Sequence, residues 1–329
     1  MRFVDQGSHS ATLYWYPLMN EKALPLPDVG LVRPVALSFQ DRLAAQLPKL
    51  VLAPTVIITL VAVYGYMIWT GLLSFTSSRI LPSWNFIGTA QYSKLMENDR
   101  WGVSVENLII FGGLFILICL VLGVLMAILL DQKIRAEGAL RTIYLYPMAI
   151  SFIVTGTAWK WLLNPGLGLQ KTIRDWGFES FTFDWLVNPD MVVYCLVIAA
   201  VWQSSGFVMA LFLAGLRGVD QEMIKAAQLD GATMPMIYRR IILPSLKPVF
   251  FSAFVILSHI AIKSFDLVAA LTGGGPGYSS DLPAIFMYQH AFTRGQMGLG
   301  AASAMVMLGG VLAILVPYLY SELRSKKNG

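Results

Sequence analysis

The chain has 329 residues, 56% of them hydrophobic and only 13% charged, with a net charge of +5. A soluble domain carries about a quarter charged residues, so a soluble fold is excluded. The apolar runs are continuous rather than alternating, which argues against a transmembrane barrel.

In chain order, residues 1–48 read as a cytoplasmic N-terminal tail and residues 49–329 as a membrane domain. Pro17, Pro25, Pro27 and Pro34 interrupt a stretch with little periodicity, so residues 1–37 are expected to be irregular. Asp5 comes early and no apolar core follows it, which does not fit a signal peptide. Ser38–Lys49 places Phe39, Leu43, Ala44 and Leu47 on one helical side, as an interfacial helix or a simple linker would.

A bilayer-crossing helix needs about 20 mostly apolar residues. Six such stretches follow: Leu50–Leu73, Leu108–Leu130, Ile143–Leu163, Met191–Leu216, Val249–Leu271 and Ala302–Tyr320. The expectation is an all-α, polytopic membrane bundle of six helices. Sixteen of the 24 basic residues fall in the two tails and in the second and fourth loops, which puts both termini in the cytoplasm by the positive-inside rule. That bias accounts for the net charge with lipid headgroups as neighbours and no nucleic-acid partner. Cys119 and Cys195 lie inside spans and read as packed thiols, and no metal set is expected.

The fourth loop, residues 217–248, is too long and too patterned for a plain connector. Asp220 is placed to cap a helix over Gln221–Leu229, and Gly231 to end it in a left-handed conformation. Thr233 then starts a second helix that tolerates Pro235 in its first turn, and Pro244 is expected to stop it. Helix, glycine corner and helix make a rigid knob.

The run Lys225-Ala226-Ala227-Gln228-Leu229-Asp230-Gly231-Ala232, with Leu243-Pro244 following, resembles the cytoplasmic loop of permease subunits in ABC importers. Gly231 and Pro244 keep the family's spacing of thirteen positions, while Lys225 stands where the family has glutamate and Glu222 lies one turn earlier. The resemblance implies a type I importer permease fold, with Glu222, Lys225, Ala226, Ala227, Asp230, Gly231, Ala232, Leu243 and Pro244 docking an ATPase. It also implies a second permease subunit, two ATPase subunits that bind ATP and magnesium, and a periplasmic solute-binding protein in a bacterial inner membrane.

Leu271 to Pro276, with Tyr278, Ser279, Ser280 and the stretch Tyr288 to Phe292, resembles the segment before the last span of carbohydrate permeases, such as the larger maltose permease and the glycerol-phosphate permease. Trp159, Trp161, Asn164, Pro165 and Gly168 fit the same group. Met287–Ala302 is most similar to subunits for glucose or mannose, with oligosaccharide or glycerol phosphate as alternatives. The glycines suit a tight turn at a span exit.

Ionisable and amide groups inside spans mark candidate pathway residues. Lys263 and Asp266 lie three apart, close enough to pair on one helical face, and Trp202 and Gln203 fall near the middle of the fourth span. A sugar pathway calls for such amides, charges and indoles; helix–helix hydrogen bonding is the plainer alternative. No phosphate-binding Gly-x-x-x-x-Gly-Lys loop, zinc-protease motif or nucleophile elbow occurs, so the chain is expected to be non-catalytic. A self-contained secondary transporter would call for inverted repeats, which are not visible.

Overall fold

The computed structural model describes residues 39–132 and 134–327. The expectations for residues 1–37 lie outside the described residues. The chain divides into two units, one up to Leu60 and one from Val61.

In the first unit, α1 runs over Phe39–Thr59. It is a single helix through the position where an interfacial segment and a first span were expected to part. A wide π-helical turn over Leu60–Gly65 falls at the boundary of the two units, and the second unit runs on into α2, Tyr66–Leu73. It continues with α3 (Ala90–Met96), α4 (Asp99–Asp131), α5 (Glu137–Leu145), α6 (Phe152–Leu162), α7 (Leu169–Asp175) and α8 (Val192–Arg217). Next come α9 (Gln221–Leu229), α10 (Met234–Ile237), α11 (Leu243–Ser245), α12 (Lys247–Ile262), α13 (Asp266–Leu271), α14 (Pro283–Tyr288) and α15 (Met297–Lys327).

Among the described residues, four stretches have the length and apolarity to cross a membrane unbroken: Val51–Leu73, Asp99–Asp131, Val192–Arg217 and Met297–Tyr320. The expected third and fifth spans are broken. Glu137–Ala149 meets Phe152–Leu162 at 99° in the third, and in the fifth α12 ends at Ile262 and α13 restarts at Asp266; a further bend of 61°, between Met234–Ser245 and Lys247–Ile262, falls just before the expected fifth span.

Residue chemistry accounts for the first break. Pro147 has no N–H for the helical ladder, the chain tightens into a 3₁₀ turn over Tyr146–Ala149, and Ile150 turns extended. Ser151 then caps α6 by accepting from the Val154 N–H. The Ile150 carbonyl freed by this break accepts a 2.7 Å hydrogen bond from Gln203 Nε2 of α8. Alongside, a Cβ on Gly206 would lie 1.8 Å from the Tyr144 carbonyl, so only glycine allows α8 to pass there.

The most extensive helix pair is α4 with α8. Gly123 of α4 lies against Val208 of α8, a close approach of the kind small residues permit between membrane helices. Cys119 and Cys195 are buried free thiols in this core.

Candidate docking knob and solute cavity

Local sequence rules build the connection from α8 to α12. Asp220 Oδ1 accepts from the Glu222 N–H at 2.8 Å and starts α9 at the residue the sequence indicates. At the other end, the Gly231 N–H donates to the Gln228 carbonyl and the Ala232 N–H to the Ala227 carbonyl, both at 3.0 Å. That is a Schellman closure, and it holds Gly231 at φ +81°. Among the described residues, chain neighbours aside, nothing lies within 4 Å of a Cβ on Gly231, so the constraint there is the backbone angle.

Ile224, Ala227 and Ala232 pack toward the core, while Glu222, Lys225, Ala226, Leu229, Asp230 and Gly231 are exposed. Leu229 is 89% exposed, and Met223, Met234 and Met236 are exposed beside it in sequence. Beyond Thr233, which starts α10, the helical path widens into a π-turn over Tyr238–Ile242. Pro244 does not stop the helix. It sits in the first turn of α11, and the wide turn before it leaves no α-helical N–H bond for it to make; the bend falls at Leu246. Leu243 is half-buried and Pro244 exposed.

The polar residues of the fifth span do not form the expected pair. The helix breaks between them: Lys263 is the C-cap of α12 and Asp266 is the first residue of α13. Each charge thus sits at the helix pole that favours it, the cation at a C-terminus and the carboxylate at an N-terminus. Among the described residues the ion pairs are Arg100–Asp281, Lys171–Asp175 and Arg217–Glu137. Lys263 and Asp266 instead both line a cavity of about 160 Å³, together with Phe152, His259, Ser264 and Phe265. The cavity therefore lies where the break in the fifth span meets the first residue of α6.

Trp202 is 41% exposed and packs edge-on against Trp159 at 5.9 Å. Gln203 is buried; its amide nitrogen holds the Ile150 carbonyl, and its Oε1 has no hydrogen-bond partner.

Sequence reading missed a second cluster. Arg100, in the first turn of α4, donates from Nε to Asp281 Oδ2 at 2.7 Å and from Nη2 to Gln289 Oε1 at 2.7 Å. Ser104 donates to the same carboxylate oxygen, and Asn107 Nδ2 donates to the Asp281 backbone carbonyl. The guanidinium also stacks over the Tyr278 ring at 4.2 Å. The glycine-rich run forms the turn leading into this cluster, with Gly273, Gly274 and Gly277 at positive φ. Ser280 Oγ lies 2.6 Å from the Gly275 carbonyl and 2.8 Å from Thr272 Oγ1, which share its one hydroxyl proton. Burial pushes the neighbouring His290 imidazole below its ordinary value; a hydrogen bond to Gln296 opposes that shift. A charged residue at a span entrance and an Asp after a glycine run were the available signals, but 181 positions separate them.

Residues 119–325 match the family described as binding-protein-dependent transport system inner membrane component. A probable ABC transporter permease of Pyrococcus horikoshii is 38% identical over 87% of this chain and all of the relative. A xylose/arabinose import permease of Haloferax volcanii is 35% identical, over 80% of this chain and 84% of the relative. The crystal structure of a bacterial ABC transporter that imports alginate superposes with a TM-score of 0.74 at 20% identity, covering 88% of this chain and 98% of that one. The latter likeness shows the fold, that of a type I importer permease. The chain belongs to the binding-protein-dependent inner membrane components, the non-catalytic permease subunits of ABC transporters.

Proposed function

We propose that this chain forms half of the translocation pathway of an ATP-driven carbohydrate importer, with the cavity at the fifth-span break as a solute contact. The observation that carries the reading is the pair of exposed, unpaired charges, Lys263 and Asp266, lining a cavity inside a broken membrane span. Charged groups at such a depth are costly unless they meet water or a polar solute. Trp202, exposed on α8 against Trp159, is a second proposed solute contact outside the lining of this cavity, whereas Gln203 serves mainly to hold the break at Ile150.

The Haloferax relative is named for xylose and arabinose, and the superposing structure belongs to an alginate importer. A cavity of about 160 Å³ is smaller than the roughly 300–1,000 Å³ of sites for drug-sized ligands. Its size favours a single ring, a monosaccharide such as glucose or mannose. A second reading, glycerol phosphate, is favoured by the Lys263 ammonium and His259 on the cavity wall.

The knob around Gly231 faces the cytoplasm together with both termini, in keeping with the basic residues on that side. It docks one of two ATPase subunits, which hold ATP and magnesium. A second permease subunit completes the pathway, and a periplasmic binding protein of a bacterial cell delivers the solute. Closure of the ATPases rocks the bundle through the knob.

The test is uptake by the reconstituted complex carrying Lys263→Met with Asp266→Leu. The double variant is expected to assemble, retain its ATPase and lose solute uptake. Wild-type uptake would remove both residues from the pathway. Because the two charges do not pair, each single variant is also expected to assemble.

A further inference from the structure

We propose that the partner groove receiving the knob presents a carboxylate to Lys225, so that docking is selective for charge. The proposal rests on the reading of the knob as the ATPase-docking element.

The argument begins with the faces of α9. Ile224 and Ala227 pack toward the core. The opposite stripe is Glu222, Lys225, Ala226 and Leu229, at helical spacings of three, four and seven, and all four are exposed. Exposed Met223, Met234 and Met236 flank it in sequence. The apolar part of this surface, Leu229 with the flanking methionines, gives binding energy only if a partner removes it from water.

Lys225 sits at the middle of that stripe, next to the small Ala226, so a partner that covers Leu229 also covers the ammonium. A covered charge without a counter-charge is strongly unfavourable. Among the described residues the chain does not supply that counter-charge. Lys225 is in none of the ion pairs among the described residues. Glu222, one turn back, lies in the first turn of α9, where its carboxylate already favours the helix dipole. Asp220 is committed to the N-cap, and Asp230 is the C-cap residue at the far end of the helix. Over residues 220–247 the acids number three against four bases, Lys225, Arg239, Arg240 and Lys247, all four of them exposed. The surface is apolar with a basic excess, and its complement is an apolar groove with an acidic rim.

The experiment uses the full complex of this chain with its second permease, its ATPase and the binding protein. Lys225→Glu is expected to lower both retained ATPase and solute-stimulated hydrolysis about ten-fold or more. Lys225→Arg is expected to stay near wild type. One acid-to-lysine replacement in the ATPase groove should restore the Lys225→Glu complex. Wild-type coupling by Lys225→Glu, or no restoring replacement among the groove acids, would overturn the proposal. Gly231→Val, made in parallel, separates the two readings. If it uncouples the complex while Lys225→Glu does not, only the charge inference falls. If neither variant has an effect, the docking reading falls with it.

Discussion

Two connections in this molecule solve the same problem in opposite ways. The 217–248 knob and the 272–296 segment both join membrane helices through glycine turns. The helix and corner of the knob, residues 220–232, are held by bonds between residues at most six apart, a side-chain cap and a Schellman closure, and their outer face is left exposed; the flanks reach further, Arg217 to Glu137 and Tyr238 to Gln132. The 272–296 segment is held by a buried ion pair to a residue 181 positions away, and Ser280 ties the turn back to Thr272 at the end of α13. A surface that another chain must grip needs a stiff backbone and free side chains. A segment that must hold its own shape satisfies its polar groups internally.

The largest effect expected from breaking this contrast is in the ion pair. Arg100 is 7% exposed and Asp281 fully buried, and each retains one polar atom with no partner. Removing either side leaves an uncompensated buried charge, a cost of about 3–5 kcal/mol. Arg100→Ala and Asp281→Leu are each expected to depress folded yield and melting temperature, and Arg100→Met with Asp281→Leu to recover much of both. Thermal unfolding of the purified chain in detergent checks this.

The same contrast explains what the sequence made legible. Asp220 and Gly231 were readable as cap and corner because the groups they satisfy lie within about one turn of chain; Thr233 starts α10 at the expected residue without a side-chain cap bond. The six apolar stretches were readable from length alone, but their straightness was not. The 99° turn at Pro147 was not read in the sequence, and it also depends on Gln203 and Gly206 of α8 accepting the distorted backbone. Lys263 and Asp266 have the spacing of a pair, and only the break at Ser264 and Phe265 sends each to its own helix pole. Arg100 and Asp281 carry no local pattern that couples them, so the cluster was invisible until the helices were packed.

At the knob, smaller effects on stability should carry large effects on coupling. Gly231→Val forces a β-branched residue to φ +81°, a local cost of about 1–2 kcal/mol. Since no described residue beyond its chain neighbours crowds that position, insertion and thermal stability are expected to stay near wild type while ATPase association falls. Asp220→Ala removes one cap bond, a typical loss of about 1 kcal/mol confined to α9. Hydrogen exchange of the α9 amides should rise in this variant without a comparable change in α4 or α8, which would show that the knob frays on its own.

The smallest expected effect is a pH dependence confined to the 272–296 segment. His290 is buried, stacks on Phe286 at a centroid distance of 4.1 Å, and shares a 2.8 Å hydrogen bond with Gln296. Burial lowers its pKa below the ordinary 6.5; the Gln296 bond and the Asp281 carboxylate oppose the shift, and the Arg294 and Arg100 guanidiniums reinforce it. The unfolded chain therefore binds a proton at this imidazole at a higher pH than the folded chain does. The stabilising contribution is complete above the unfolded value and is lost as the pH falls from about 6.5 toward the folded value, with a slope of at most about 1.4 kcal/mol per pH unit for one group. The thermal midpoint of the wild-type chain should fall across that window, and His290→Gln should remove that part of the slope. A variant with the wild-type slope would assign the pH dependence to other groups and leave His290 a packing residue beneath the Arg100 cluster.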